Sequence, residues 1–301
     1  MDGFPIFYHE PLGRHVNIGV GGPADLFAQP MTAQQVAALR RFARSEGMDF
    51  RVLGGGMNLL ISDDGVRGVV VKLHPKAFND FRVLGGNRLE VGAAFGFQEL
   101  VHRAAQLGLS GFEKLTGIPG SVGGVVRMNA GGKLGEIGDR IVAVRAVVGE
   151  EVVTLSRAEC RFGYRDSALK DHIVIGAVVE GIPGDRAAIQ QATREFARYK
   201  ASVQPMQLPS AGCMFANPAG GSAGKLIDEA GLKGARVGGA MVALKHGNFL
   251  YNAGGATCAD FLHLIGWVRS RVYDSFGVEL KLEVQTWGCE FPAVRDLKLA
   301  A

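Results

Sequence analysis

Cysteine is scarce in this chain. Cys160, Cys213, Cys258 and Cys289 are the only 4 among 301 residues, they lie far apart, and no C-x-x-C spacing occurs. Zinc-ribbon, iron–sulfur and disulfide-scaffold readings fail on that observation, the histidines show no ligand spacing, and no metal is expected. Three of the four thiols read as buried small hydrophobes, with Cys213 the exception. No uninterrupted apolar run approaches a membrane span, and residues 1–11 hold no apolar leader core. The expectation is a soluble, cytoplasmic protein without a membrane partner. A dominant charge sign is missing as well: 33 Lys and Arg against 29 Asp and Glu leave +4, with no basic run. Nucleic-acid binding therefore has little support, and an anionic small molecule fits better, with no obligate protein partner inferred.

What is abundant is glycine. Its 44 residues are about twice the usual share of roughly 7%, and they cluster in motifs without a Gly-X-Y period. The densest cluster, 115–132, reads Leu-Thr-Gly-Ile-Pro-Gly-Ser-Val-Gly-Gly-Val-Val-Arg-Met-Asn-Ala-Gly-Gly. Glycine permits φ > 0 and close backbone approach to a ligand, while Pro119 stiffens the turn. Successive N–H groups in such a loop make a nest for a pyrophosphate. A mobile surface loop is the competing reading, and the apolar residues between the glycines argue for order.

Hydrophobic residues at 47% and charged residues at 21% describe a globular chain long enough for two or three packed units. Thr32 and Gln35 open an amphipathic helix through Val36, Leu39 and Phe42 that Gly47 ends. A strand at 50–53, a Gly54-Gly55-Gly56-Met57-Asn58 turn and a strand at 68–73 follow, giving a small α/β unit with a ligand loop. A second region carries strands at 89–91, 141–148, 152–155 and 173–179, with helices at 97–107 and 186–199. A third unit holds a helix at 223–230, strands at 240–244 and 248–251, and a long helix capped at Thr257. Strict alternation over 278–287 predicts a final strand with Glu279, Lys281 and Glu283 on its polar face. The boundaries so drawn are 1–73, 74–203 and 204–301.

None of the glycine runs matches a strict nucleotide signature. Gly224-Lys225 has the end of a P-loop, but Ala219 replaces its first Gly and Leu226 its Ser or Thr. Gly19 to Ala24 echoes a Rossmann turn only weakly, because Pro23 interrupts it. A dinucleotide gripped from two regions would need two loops, and the chain has two.

Taken together, the blocks at 21–25, 53–60, 117–131, 162–167, 209–218, 226–239 and 277–288 resemble the UDP-N-acetylenolpyruvoylglucosamine reductases, the MurB family. The likeness covers nearly the whole chain. It implies an α/β and α+β architecture, an FAD-binding fold of the vanillyl-alcohol-oxidase (PCMH) type plus a C-terminal substrate-binding domain. It also implies noncovalent FAD, NADPH as co-substrate, and reduction of the enolpyruvyl ether of a UDP-sugar to a lactyl ether for peptidoglycan. The short span from Ser167 to Gln204 is similar to the subgroup lacking an extra Tyr-bearing loop.

The resemblance assigns the cofactor to Gly54, Gly55, Gly56, Met57, Asn58 and Leu59, and to Gly117, Ile118, Pro119, Gly120, Ser121, Gly123, Gly124 and Asn129. Substrate contacts fall on Tyr164, Arg165, Asn217 and His246. Hydride delivery to C3 leaves carbanion character at C2 that spreads into a carboxylate, and that charge needs a cation and a proton donor. Arg165 supplies a guanidinium fork; by pattern alone it reads as a surface ion pair with Asp166. Glu283 stands where the family places an essential Glu before the Val of the last strand, here Val284, although alternation alone makes it a solvated residue and Glu279 a decoy. Cys213 stands where most members carry a Ser proton donor, and a thiol, with an ordinary pKa of about 8.5, is a stronger acid than a hydroxyl. A buried, inert thiol is the alternative for Cys213, and a hydrogen-bonded structural histidine for His246. Met57 for Ser, Ala216 for Lys, Lys133 for Tyr and Gly19 for Arg are further departures. Two rivals remain at this level: an FAD-dependent oxidase of the same fold, and a nucleotide-sugar-binding protein without turnover.

Overall fold

The computed structural model describes residues 3–132 and 134–291; Lys133 lies outside the described residues. The chain divides into two compact units, each interleaved in sequence. Unit one holds the described residues of Met1–Tyr8, Leu26–Gly55 and Gly68–Ser202, and unit two those of His9–Asp25, Gly56–Arg67 and Val203–Ala301.

The strands and helices used below are, in chain order, β1 (Ile6–Pro11), β2 (Pro23–Ala28), α1 (Ala33–Ser45), β3 (Phe50–Val52), β4 (Leu59–Ile61), β5 (Val66–Val71), β6 (Phe81–Leu84), β7 (Arg88–Gly92) and α2 (Phe97–Gln106). They continue with α3 (Val122–Arg127), β8 (Ile141–Val148), β9 (Glu151–Ser156), β10 (Ile173–Glu180), α4 (Arg186–Val203), β11 (Ser210–Cys213) and α5 (Ala223–Glu229). The last are β12 (Arg236–Val237), β13 (Ala240–Val242), β14 (Phe249–Asn252), α6 (Cys258–Phe276) and β15 (Gln285–Trp287). By these bounds, β1, β2 and β5 each carry the chain from one unit into the other.

In unit one, α1 starts where expected because Thr32 and Gln35 form a reciprocal capping box, and Gly47 takes φ +63° beyond its end. Its buried face, Val36, Ala37, Leu39 and Ala43, is the one the 3.6-residue period selects. A five-stranded antiparallel sheet runs in the order β9-β8-β10-β7-β6. α2 buries Phe97, Leu100, Val101 and Ala104 in the same core, and Ala105 is buried beside them in sequence.

In unit two, β11-β14-β13-β12 form a second antiparallel sheet. Thr257 and Asp260 cap α6 reciprocally, Gly277 ends it in the left-handed conformation, and Phe261, Leu264, Ile265, Val268 and Val272 are buried along its length.

Three features differ from the sequence pattern. The alternating stretch 278–287 is not one strand. Residues 281–284 lie along 214–216, with a single bridge Phe215↔Leu282, and only β15 forms a ladder, parallel to β4. Alternation reports which side is buried, and Leu280 and Val284 are; it does not report that the partner changes between Val284 and Gln285. The glycine segment 115–132 is not loop throughout either, since α3 folds within it and Gly123 and Gly124 are helical. Cys289, expected to be buried, is half-buried, whereas Cys160 and Cys258 are buried.

Thr257→Ala removes the α6 capping box and should cost about 1 kcal/mol, read as a lower urea midpoint, with Thr257→Ser retaining most of it. An unchanged midpoint for the alanine variant contradicts the capping role.

Candidate active site

In unit one the two glycine loops touch through bare backbone. A Cβ built on Gly55 would meet Gly120 Cα at 2.8 Å and Ser121 N at 2.9 Å, and one on Gly54 would meet Ser121 Oγ at 3.1 Å. Gly117 and Gly120 hold φ +81° and +115°, a region that L side chains avoid. Behind them, Gly123 packs so closely that a Cβ would meet Ala93 Cβ at 2.9 Å, while its N–H donates to Ala93 O at 2.9 Å.

The loop is fastened by a residue that no motif pointed to. Gln98, on α2, accepts from Gly117 N–H at 2.7 Å and donates to Ile118 O at 2.7 Å and Leu115 O at 3.3 Å. One side-chain amide thus replaces the ladder partner that an irregular segment lacks. Beside it, Thr116 Oγ1 is buried with no hydrogen-bond partner among the described residues.

The Asn129 side chain is bonded within unit one. Its amide donates to Glu136 Oε2 at 2.6 Å and Gly163 O at 2.8 Å and accepts from Gly138 N–H at 2.9 Å. These bonds fix the hairpin in which Gly163 and Asp166 pair and Tyr164 and Arg165 form the turn. Arg165 sits at φ +52°, donates from Nη2 to Gly131 O at 2.7 Å, and lies 5.3 Å from the exposed Tyr164 ring. A non-glycine residue in that conformation is a strained position that its surroundings must hold. Asp166 pairs with Lys170 at 2.8 Å, and hydrogen bonding to that ammonium holds its carboxyl below the ordinary range.

In unit two, β11 and β14 pair Ser210↔Tyr251 and Cys213↔Phe249, with an irregularity between at Gly212, which adopts φ +76°. Such a bulge re-aims the side chain that follows it, here Cys213. Asn248 is 2% exposed and grips the next residues: Oδ1 accepts from Phe215 N–H at 2.8 Å and Nδ2 donates to Phe215 O at 2.7 Å. Its own carbonyl accepts from Met214 N–H at 2.8 Å.

Met214 O in turn accepts from Glu283 N–H at 3.0 Å and from Val284 N–H at 3.4 Å. Cys213 and Glu283, 70 residues apart in sequence, are therefore brought onto adjoining segments. Asn58 joins them, donating from Nδ2 to Glu283 O at 3.2 Å, while Gln285 N–H donates to Asn58 O at 3.2 Å. Glu283 is half-buried, not solvated as alternation implied. Leu59 begins β4 and is buried, Gly56 adopts φ +64°, and Met57 O lies 3.9 Å from where a Gly212 Cβ would stand.

Asn217 is exposed and its Oδ1 accepts from Ala223 N–H at 3.0 Å, at the start of α5. His246 takes a structural seat: Nδ1 accepts from Asn248 N–H at 3.2 Å, and the ring is edge-on to Phe249 at 5.0 Å. Cys160 is fully buried, and burial followed by the Glu159 charge pushes its thiol up to about 11.

Comparison with known proteins assigns the class first. Residues 24–156 match the model of an FAD binding domain, and residues 204–287 match that of the UDP-N-acetylenolpyruvoylglucosamine reductase C-terminal domain. The UDP-N-acetylenolpyruvoylglucosamine reductase of Carboxydothermus hydrogenoformans is 39% identical over 287 residues, covering 94% of each chain. That of Heliobacterium modesticaldum is 42% identical over 283 residues, covering 93% of this chain and 90% of its own. The crystal structure of UDP-N-acetylenolpyruvylglucosamine reductase (MurB) from Thermus caldophilus superposes with a TM-score of 0.81 at 38% identity, over 95% of this chain and 99% of that one. The chain belongs to the UDP-N-acetylenolpyruvoylglucosamine reductase family.

Gln98→Met keeps the length of the side chain and removes its hydrogen bonds. The Gly117 amide should then exchange with solvent on the order of tenfold faster, the equivalent of about 1.4 kcal/mol, while amides inside α2 stay protected. Unchanged Gly117 protection contradicts the clamp.

Proposed function

We propose that this chain reduces the enolpyruvyl ether of UDP-N-acetylglucosamine to UDP-N-acetylmuramate, using NADPH through a noncovalently bound FAD, as a step of peptidoglycan precursor synthesis in the cytoplasm. Family membership over nearly the whole chain favours this over an oxidase or a non-catalytic binder. The observation that carries it is local: Cys213 and Glu283 stand on adjoining segments joined through Met214 O, with Asn58 bonded to the Glu283 carbonyl.

In this reading residues 1–73 and 74–203 are the two parts of the cofactor-binding region, and 204–301 is the substrate-binding part. The residues present fit the cofactor. The bare contact of Gly55 with Gly120 would be filled by any side chain, and the orphaned Thr116 hydroxyl, a burial costing about 1–3 kcal/mol, lies in the same loop. Gly54 and Gly55, with Gly117, Ile118, Pro119, Gly120 and Ser121, would hold the FAD through backbone, joined by Gly56, Met57, Asn58 and Leu59. When bound, FAD supplies a two-electron carrier between NADPH and substrate.

The chain's own side chains then divide the remaining work. Arg165, presented by a clamped hairpin, pairs with the substrate carboxylate and stabilises the charge that gathers there as hydride reaches C3. Glu283, on the segment adjoining Cys213, serves the same half-reaction as a polar partner of the reacting group. Cys213 holds the proton that C2 receives. Asn129 and Glu136 act through Arg165 by fixing Gly163, and Asn248 acts through Cys213 and Glu283 by fixing Met214 and Phe215. Tyr164 and Asn217 meet the sugar nucleotide, and His246 supports the turn beside it. The substrate is a small molecule, and no protein or nucleic-acid partner enters the scheme. No helix among the described residues is long and apolar enough to cross a membrane.

Rapid-mixing kinetics separate the two half-reactions. Cys213→Ala should accept electrons from NADPH at nearly the parent rate and deliver them to substrate on the order of 10² to 10⁴ more slowly, the usual range for a general acid. Cys213→Ser should recover much of that loss, and Arg165→Ala should fail in the same half-reaction. Substrate reduction by Cys213→Ala within a few-fold of the parent removes the thiol from proton transfer.

A further inference from the structure

Two thiols outside the proposed reaction stand in contact. Cys258 is the first residue of α6 and Cys289 lies two residues beyond β15, and their Sγ atoms are 3.5 Å apart although both are free. We propose that Cys258 and Cys289 are a reversible dithiol–disulfide couple, a modification site for hydroperoxides, in which Cys289 reacts first and Cys258 resolves it.

The two sulfurs are unequal in ways that set the order. Cys258 is 1% exposed, so an oxidant in solvent does not reach it, whereas Cys289 is half-buried. Cys289 Sγ lies 3.4 Å from Trp287 O and 3.6 Å from Leu60 O. Either sulfur can donate across that contact, and with Cys258 as the donor the thiolate at Cys289 is favoured and its pKa lowered. Giving up that hydrogen bond, together with burial and the nearby Asp63 charge, raises that of Cys258. The thiolate is the form that attacks a peroxide, and solvent access assigns that attack to Cys289.

Cys258 is also the better anchored. Its N–H donates to Asp63 Oδ1 at 2.7 Å, and Ala259 N–H donates to Asp63 Oδ2 at 3.0 Å. Cys289 follows the last pair of the short parallel ladder, Trp287↔Ile61. A disulfide needs an S–S distance of about 2.05 Å, so the approach falls mainly to Cys289.

The chemistry closes on the two thiols and one hydroperoxide. Cys289 thiolate attacks the terminal peroxide oxygen, an S–O bond forms, the O–O bond breaks, and the alcohol, or water from hydrogen peroxide, leaves with a proton. Cys258 sulfur then attacks Cys289 sulfur, the S–S bond forms, the S–O bond breaks, and hydroxide leaves as water with the Cys258 proton. The thiols lose two electrons in all and the peroxide gains them. The couple occupies one end of the β4–β15 ladder, whose other end holds Asn58 beside Glu283. It stands whether or not the proposed reduction does.

The test uses the intact holoprotein, reduced, then exposed to hydrogen peroxide at neutral pH, quenched with catalase, unfolded in guanidinium, capped with N-ethylmaleimide and mapped by mass spectrometry. A cross-linked peptide joining Cys258 to Cys289, lighter by two hydrogens and cleaved by dithiothreitol, is the expected product. In Cys258→Ser, Cys289 should stop at a sulfenic acid that dimedone traps. In Cys289→Ser, Cys258 should be recovered as its maleimide adduct. Exposed Met206 serves as the dose marker. Recovery of both cysteines as maleimide adducts at doses that oxidise Met206 overturns the couple, and so does oxidation of Cys258 at the parent rate in Cys289→Ser.

Discussion

The candidate cofactor site of unit one rests on a contact between two stretches of backbone with no space for a Cβ between them, Gly55 against Gly120 and Ser121. Such an approach exposes peptide groups, which need partners, and it spares the entropy of ordering side chains. The cost falls on conformation: residues at φ +81° and +115° have no regular ladder to hold them. Gln98 answers that cost with three hydrogen bonds from a helix that is itself anchored by five buried apolar residues. Loop, clamp and core are thus one mechanical unit, and loosening the clamp reaches the loop before it reaches the fold.

Unit two solves a similar problem by a different means. The segment after Cys213 leaves the sheet at a glycine bulge, and the Asn248 side chain substitutes for a neighbouring strand by pairing with both polar groups of Phe215. The carbonyl one residue earlier is then free to gather Glu283 and Val284. A buried amide that lost one partner would leave desolvated groups unpaired, which is why such clamps are sensitive positions. Both candidate proton-handling residues, Cys213 and Glu283, therefore owe their placement to neutral side chains with no chemistry of their own.

Local signals in the chain were legible where the physics is local. Thr32 with Gln35 and Thr257 with Asp260 cap helices, and Gly47 and Gly277 end them, because these bonds close within a turn. The two glycine loops were legible because close backbone approach and positive φ both select glycine, so the residues cluster in the chain. Partnership was not. Alternation from Val278 to Trp287 encodes a buried side but not the change of partner between Val284 and Gln285, and β1 and β2 carry little pattern of their own. The amides of Gln98, Asn129 and Asn248 act across 7 to 34 residues of sequence, a distance over which no spacing rule applies. Asn129 could be singled out by resemblance, yet only the structure shows its amide spent on Glu136, Gly138 and Gly163.

The most direct measurement is the visible spectrum of the purified protein, followed anaerobically through addition of NADPH and then of the UDP-sugar enolpyruvyl ether. Flavin bands that bleach with NADPH and return with the ether, in the absence of oxygen, are the predicted result. A colourless protein that binds no FAD, or bleached bands that return only when oxygen is admitted, would contradict it.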